Sequence, residues 1–300
     1  VSPTGRKDKH MGDLSRYTAT CHSVSTRVIG KYSTSFGQAT RLLGRPVRSR
    51  VRDLYAVVRV ADEIVDGPAA EAGMNPDQIA AELDRFESDI AQAIENGFSA
   101  NPVIQAFSDT VRVCAIQPQH IRAFFRSMRA DTDKETYTDG ELDDYIYGSA
   151  EVVGLMCLDI FLAGRDRTGE EHRTLVDGAR HLGAAFQKIN FLRDLAEDRE
   201  ELGRDYLGLD SEDDKDAALE DIRNDLDIAR RSLPGLPASS RTGVTAAYLL
   251  FGELVRRLEQ TSLAELRSRR VRVPDRVKAK ILAQAVIESR TPRKESNRGL

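Results

Sequence analysis

Apolar residues recur at three- and four-residue spacings almost from end to end of this 300-residue chain, and long alternating β-branched runs are missing. That periodicity constrains the fold more than any other feature, because it predicts an all-α protein. Prolines punctuate it where helices begin, in NPDQIAAEL (75–83), NPVIQAF (101–107) and QPQHIRAFF (117–125). A residue in the first helical turn has no intrahelical N–H bond to lose, so proline is tolerated there. The pattern predicts helices over 14–40, 49–66, 76–96, 102–115, 118–130, 141–164, 172–200, 212–232, 238–270 and 275–289. No composition break or internal repeat marks a second domain. The reading is one domain over 1–290, followed by a polar tail, TPRKESNRGL (291–300).

Bulk composition narrows the classes. With 40% hydrophobic and 31% charged residues, the chain can bury a sizeable core and remain soluble. A formal net charge of -4 lacks the basic footprint of a nucleic-acid binder. The 3 cysteines, Cys21, Cys114 and Cys157, fit neither a zinc site nor a disulfide framework, which suggests a reducing compartment. The polar start VSPTGRKDKHMGD lacks the apolar stretch of a signal peptide, and no apolar run is long enough to span a bilayer. A cytoplasmic location is expected. The histidines show no metal spacing, Cys157 reads as core, and the acidic run 210–216 reads as a solvated charge cluster.

One helix is anomalous. In 49–66, Tyr55, Arg59, Asp62 and Asp66 are spaced 4, 3 and 4, so they share one face. Val51, Leu54, Ala56, Val57, Val58, Val60, Ala61, Ile64 and Val65 fill nearly every other direction. A helix apolar almost all round is buried, so its polar stripe faces a cavity. Asp-x-x-x-Asp alone is weak, since Asp139/Asp143 and Asp210/Asp214 share the spacing and read as surface pairs. The second informative stripe is Gln187, Asn190, Asp194 and Asp198, spaced 3, 4 and 4, with Leu182, Ala185, Phe186, Ile189, Leu192 and Ala196 opposite. Buried carboxylates pair or bind a metal. Paired aspartates on two cavity walls suit Mg²⁺, which takes a few carboxylates together with waters and substrate phosphates. The combination points to a helical, Mg²⁺-dependent enzyme that ionises an apolar diphosphate.

These motifs resemble the squalene/phytoene synthase family of trans-isoprenyl diphosphate synthases over about 25–290. The first acidic motif matches Asp62-Glu63-Ile64-Val65-Asp66, with Tyr55 and Arg59 upstream. The second matches Asp194 to Asp198, preceded by Gln187, Asn190 and Arg193. ELDDYIYGSAEVVG (141–154) is similar to the family's Tyr-x-Tyr-x-x-Ala-x-x-x-Gly segment, Ser33-Thr34-Ser35-Phe36 to its Ser-x-Ser-Phe signature, and MRAD (128–131) to its Met-x-x-Asp. Two positions depart. Tyr32 stands where the family often has histidine, and Ser149-Ala150-Glu151 replaces Val-Ala-Gly. The second departure bears on chain length, not on reaction type.

The resemblance implies an isoprenoid synthase bundle with a central cavity, most like bacterial phytoene synthases. It implies head-to-head condensation of two geranylgeranyl diphosphates to phytoene through a cyclopropyl diphosphate. Asp62, Asp66, Asn190, Asp194 and Asp198 would hold Mg²⁺ (Mn²⁺ as a substitute), with Glu63 close by. Arg59 and Arg193 would contact diphosphate, a task suited to a forked donor, and Ser33 and Ser35 would donate to the same phosphates. Tyr55, Tyr145 and Tyr248 would position diphosphate or face the cation. Gln187 and Asn190 would line the pocket below the metals, and Phe36, Ala150, Val153 and Gly154 would form apolar wall. No NADPH is expected. Within the enzyme class the alternative is a squalene or dehydrosqualene synthase using farnesyl diphosphate. Outside it, the alternative is a catalytically silent assembly factor. Seven basic residues in 267–280 form either a solvated helix end or a contact for an anionic membrane. Oligomeric state stays open.

Overall fold

Asparagine followed by proline starts two helices here, and each start is capped as its chemistry dictates. Asn75 accepts from the Gln78 N–H while Gln78 reaches back to the Asn75 N–H. Asn101 accepts from Val103 and Ile104. A computed structural model describes residues 12–32, 35–133, 137–165, 168–201 and 206–289; for 35, 131–133, 139 and 198–201 it describes the backbone alone. The elements are α1 (Asp13–Tyr32), α2 (Ser35–Thr40), α3 (Arg45–Val65), α4 (Pro68–Glu71), α5 (Pro76–Asn96), α6 (Pro102–Cys114), α7 (Pro118–Asp133) and α8 (Asp139–Ile146). A π-helical turn (Tyr147–Glu151) leads into α9 (Val152–Phe161) and α10 (Gly169–Glu201). Then come α11 (Glu212–Ser232), a 3₁₀ turn (Leu233–Gly235), α12 (Ala238–Glu259), α13 (Leu263–Leu266) and α14 (Asp275–Glu288). No strand occurs among the described residues.

Four expected helices differ in detail. The span 14–40 is two helices, α1 ending at Tyr32 and α2 beginning at Ser35. The span 238–270 stops at Glu259, and Ser262 caps the separate short α13 through Glu265. Helix 49–66 starts earlier, at Arg45, with a proline in its first turn. Helix 141–164 starts at Asp139, ends at Phe161 and is interrupted by the π-helical turn. The tail 291–300 and the N-terminal 1–11 lie outside the described residues.

Two large apolar clusters flank the middle of the molecule. One joins α3, α5, α6, α7 and α9 around Leu54, Phe86, Phe107, Phe125 and Met156. The other joins α10 to α13 around Ile189, Leu192, Leu219, Ile222 and Leu258. Between them α9 and α10 approach closely at reciprocal glycines. A Cβ on Gly183 would sit 2.5 Å from the Ala150 carbonyl oxygen and 2.9 Å from its carbon, and a Cβ on Gly154 would collide with the Ala179 carbonyl. Backbone therefore touches backbone where any side chain would wedge the helices apart.

Away from this seam, α1 is pinned by a charged cluster that the sequence reading did not single out. Asp53 of α3 is fully buried. One of its oxygens accepts from Thr110 at 2.9 Å and meets Nδ1 of His22 at 2.7 Å. Nε2 of His22 lies 3.5 Å from Asp109, which also pairs with Arg50. Asp109 and Asp53, one at each ring nitrogen, hold the His22 imidazolium up to about 9 against the opposing effect of burial. Because the folded value is raised, the stabilisation is fully present below the ordinary histidine value and is lost as pH rises through about 9. His22→Gln is expected to lose about 2 kcal/mol at neutral pH, with the gap to wild type closing toward alkaline pH. Thermal melts across that range check this, and a gap that stays constant with pH would remove the charge from the explanation.

Candidate active site

The cavity between the two clusters, of about 230 Å³, is walled by α2, α3, α9, α10 and α12. Its lining is almost wholly apolar, and it includes five expected site residues: Phe36, Ala150, Val153, Gly154 and Gln187. From α3 it takes Val51 and Val58; from α10 it takes Leu175, Ala179, Gly183 and Gln187. Helical periodicity extends both stripes to the acidic residues. Asp62 lies one turn beyond Val58, and Asn190 and Asp194 lie one and two turns beyond Gln187.

At that end Tyr32 of α1 stands between Arg59 of α3 and a pocket that Arg193 of α10 lines. The Arg59 guanidinium stacks on the Tyr32 ring at 4.5 Å and pairs with Glu63 one turn on. Ion pairing with Glu63 and Asp62 raises the Arg59 guanidinium further, against the opposing effect of burial. Tyr32 then lines a second, polar pocket of about 560 Å³ with Arg193, Arg270, Arg272 and Lys278. Arg193 and Arg270 both grip Asp194, Arg193 through Nε at 2.7 Å and Arg270 through Nε at 2.8 Å, while Arg270 also reaches Glu197 at 2.7 Å. Tyr55 stacks on Phe36, with ring centres 5.9 Å apart. Asp62 and Asp66 are half-buried along α3.

Tyr145 is buried in an aromatic cluster with Tyr137, Phe191 and Tyr206, all near Asn190 on the sequence of α10 or packed against it. It is not part of the described cavity lining. Tyr248 is half-buried on α12 behind the wall, where burial raises its phenol. Ser33 lies outside the described residues, as do the side chains of Ser35, Asp131 and Asp198.

The two departures in the Ser149-Ala150-Glu151 stretch separate. Ser149 lines the cavity, and its hydroxyl oxygen is buried with no hydrogen-bond partner. Glu151 instead pairs with Arg180 at 2.7 Å and is not in the lining. Cys157, expected as core, lines the cavity; burial pushes its thiol up to about 12, so it is no nucleophile at neutral pH.

The basic segment 267–280 divides in the same way. Arg270, Arg272 and Lys278 line the polar pocket and Arg267 donates to the Leu209 carbonyl, while Arg269, Arg276 and Lys280 are exposed outside it. Sequence reasoning missed Arg270 as a site residue because it weighed the segment as one charge run. The acidic run 210–216 is also less uniform than expected. Lys215 within it is buried and donates to the Thr261 carbonyl at 3.0 Å, and Asp214 caps α11.

The donor chemistry fits a hard, oxygen-seeking cation. Oδ1 of Asn190, one turn before Asp194, is buried and has no hydrogen-bond partner. No group of three or more acidic, histidine or cysteine side chains able to hold a metal forms among the described residues. No helix among the described residues is long and apolar enough to cross a membrane.

Residues 29–225 match the squalene/phytoene synthase family model. Phytoene synthase 3, chloroplastic, of Zea mays is 31% identical over 87% of this chain and 64% of its own length. Phytoene synthase 2, chloroplastic, of Solanum lycopersicum is 31% identical over 77% and 79% respectively. The chain thus spans less than two thirds of the maize relative. A crystal structure of a dehydrosqualene synthase superposes with a TM-score of 0.74 at 22% identity, covering 92% of this chain and 99% of that one. A squalene synthase from Alicyclobacillus acidocaldarius gives 0.67 at 21%, covering 82% and 94%. These likenesses show the all-α isoprenoid synthase fold, and the family match and the plant relatives show that the chain belongs to the squalene/phytoene synthase family.

Proposed function

We propose that the protein condenses two geranylgeranyl diphosphates head to head into phytoene. The observation that carries this reading is the junction of three environments. A basic pocket borders Asp194 and Tyr32, the helices α3 and α10 carry the acidic stripes, and the same two helices wall an apolar cavity. Such a pocket suits a diphosphate, and such a cavity suits a prenyl tail.

Arg59, Arg193 and Arg270 grip diphosphate oxygens, with Lys278 as a point charge beside them. Asp62, Asp66, Asn190, Asp194 and Asp198 are the residues that would hold Mg²⁺. When bound, the metal neutralises charge developing on the departing diphosphate. Tyr55, fixed by its stack on Phe36, orients the reacting ends, and Tyr145, buried against Phe191, braces α10. The apolar wall of Phe36, Ala150, Val153 and Gly154 keeps water from the allylic cation. The double bond of the second substrate captures that cation, and loss of a proton from the resulting carbocation closes the ring of a cyclopropyl diphosphate. A second ionisation and rearrangement follow, and loss of a second proton completes a hydrocarbon, so two diphosphates and two protons leave per product.

The test is one product assay on purified protein with Mg²⁺, with geranylgeranyl or farnesyl diphosphate in parallel, each with and without NADPH. A forty-carbon hydrocarbon formed independently of NADPH is the expected result. A thirty-carbon product would move the assignment to the farnesyl-using members, and NADPH dependence would distinguish squalene from dehydrosqualene. No product from either would favour a silent assembly factor.

A further inference from the structure

The apolar cavity has a far end. From Gln187 its wall descends α10 through Gly183 and Ala179 to Leu175, about 18 Å at the rise of an α-helix. There Leu175 joins Leu158, Leu162, Leu233 and Leu236 in one buried cluster. Beyond that cluster is a separate pocket of about 230 Å³ with the opposite chemistry, lined by Arg165, Glu171, His172, Gly235 and Pro237. Arg165 and Glu171 are exposed, so this pocket opens to solvent. Nδ1 of His172 is buried without a hydrogen-bond partner, the kind of atom that holds an ordered water.

Among the described residues, Leu175 is the one lining residue common to both pockets. It is 5% exposed. Its Cδ2 lies 3.4 Å from where a Cβ on Gly235 would sit, so its side chain is braced against the 3₁₀ turn. Leu175 is thus the side chain of that leucine cluster that touches both the apolar cavity and the solvent-open pocket. A tail that displaced it would enter space open to solvent rather than close-packed protein.

We propose that Leu175 is the stop against which the tip of the prenyl tail rests, and so the residue that sets the longest tail the cavity accepts. This rests on the reading of the cavity as a prenyl site, and it names what measures the substrate. Shortening Leu175 to alanine opens the floor into the second pocket, and enlarging it to phenylalanine raises the floor.

The test uses unreactive saturated n-alkyl diphosphates of increasing length, titrated into the full chain with Mg²⁺ by calorimetry. Each methylene that still enters apolar surroundings tightens binding up to about fourfold, and the gain ends where the tip meets the stop. In Leu175→Ala that plateau is expected two or more methylenes later, and in Leu175→Phe two or more earlier, with Leu175→Met close to wild type. The same plateau in all four proteins, with melting curves showing each folded, would overturn the proposal. Turnover with farnesyl and geranylgeranyl diphosphates is measured alongside. Absent turnover with a plateau that moves would reject the condensation reading while leaving Leu175 as the stop. Turnover with an unmoved plateau would do the reverse.

Discussion

Asp62→Ala is expected to lower diphosphate release by about 10³-fold, roughly 4 kcal/mol of transition-state stabilisation, while leaving the fold intact. Asp62 is half-buried on α3, one turn beyond Val58 in the cavity wall, beside the Arg59–Glu63 pair. The apolar packing of α3 comes mainly from Leu54, Ala56, Val57 and Ala61, on other faces. Removing the carboxylate takes away a cation donor without opening the core. Single-turnover release of diphosphate, read together with far-ultraviolet circular dichroism, checks both halves. Unchanged turnover in a folded variant would take Asp62 out of the chemistry.

The second large effect is on stability. Gly183→Ala is expected to destabilise by about 2–3 kcal/mol, because its Cβ would lie 2.5 Å from the Ala150 carbonyl oxygen and 3.0 Å from the Glu151 Cα. Both are backbone atoms of the π-helical turn that leads into α9, so that turn or α10 must move. The melting temperature should fall by roughly 5 °C or more. The same substitution at Gly252, within α12 and with nothing within 4 Å of its Cβ position, should be neutral or stabilise by up to about 1 kcal/mol. Equal and small effects at the two sites would show that α9 and α10 do not depend on close approach. Gly183 also lines the cavity, so its variant should lose activity at temperatures where it remains folded.

Much of the site is written in local spacing. Tyr55, Arg59, Asp62 and Asp66 lie on one face because a helix turns once every 3.6 residues, and no partner is needed to establish that. The same holds for Gln187, Asn190 and Asp194. Helix starts were legible for a similar reason, since Asn75 and Asn101 satisfy N–H groups within three residues of themselves. Breaks were less legible. Residues 260–262 continue an acceptable helical pattern, and α12 ends there in the fold because α13 caps on Ser262 and packs Leu263 and Leu266 into the α10–α11 cluster.

Other features depend on partners remote in sequence. Asp53 sits among the valines of α3 with no local mark of its role; His22 and Thr110, 31 and 57 residues away, make its burial tolerable. Arg270 lies in a run of seven basic residues with nothing to single it out. Only the fold brings it across 76 residues to Asp194. Lys215 is buried inside an acidic run because the Thr261 carbonyl is held against it.

By itself, then, the sequence determined an all-α chain, the two acidic stripes and the family whose motifs they match, because helical period and motif order are local properties. The tertiary structure decided which charges meet at the polar pocket, how closely α9 and α10 approach, and where the cavity stops at Leu175. Those are matters of which surfaces exclude water together, and no spacing along one chain segment can specify them.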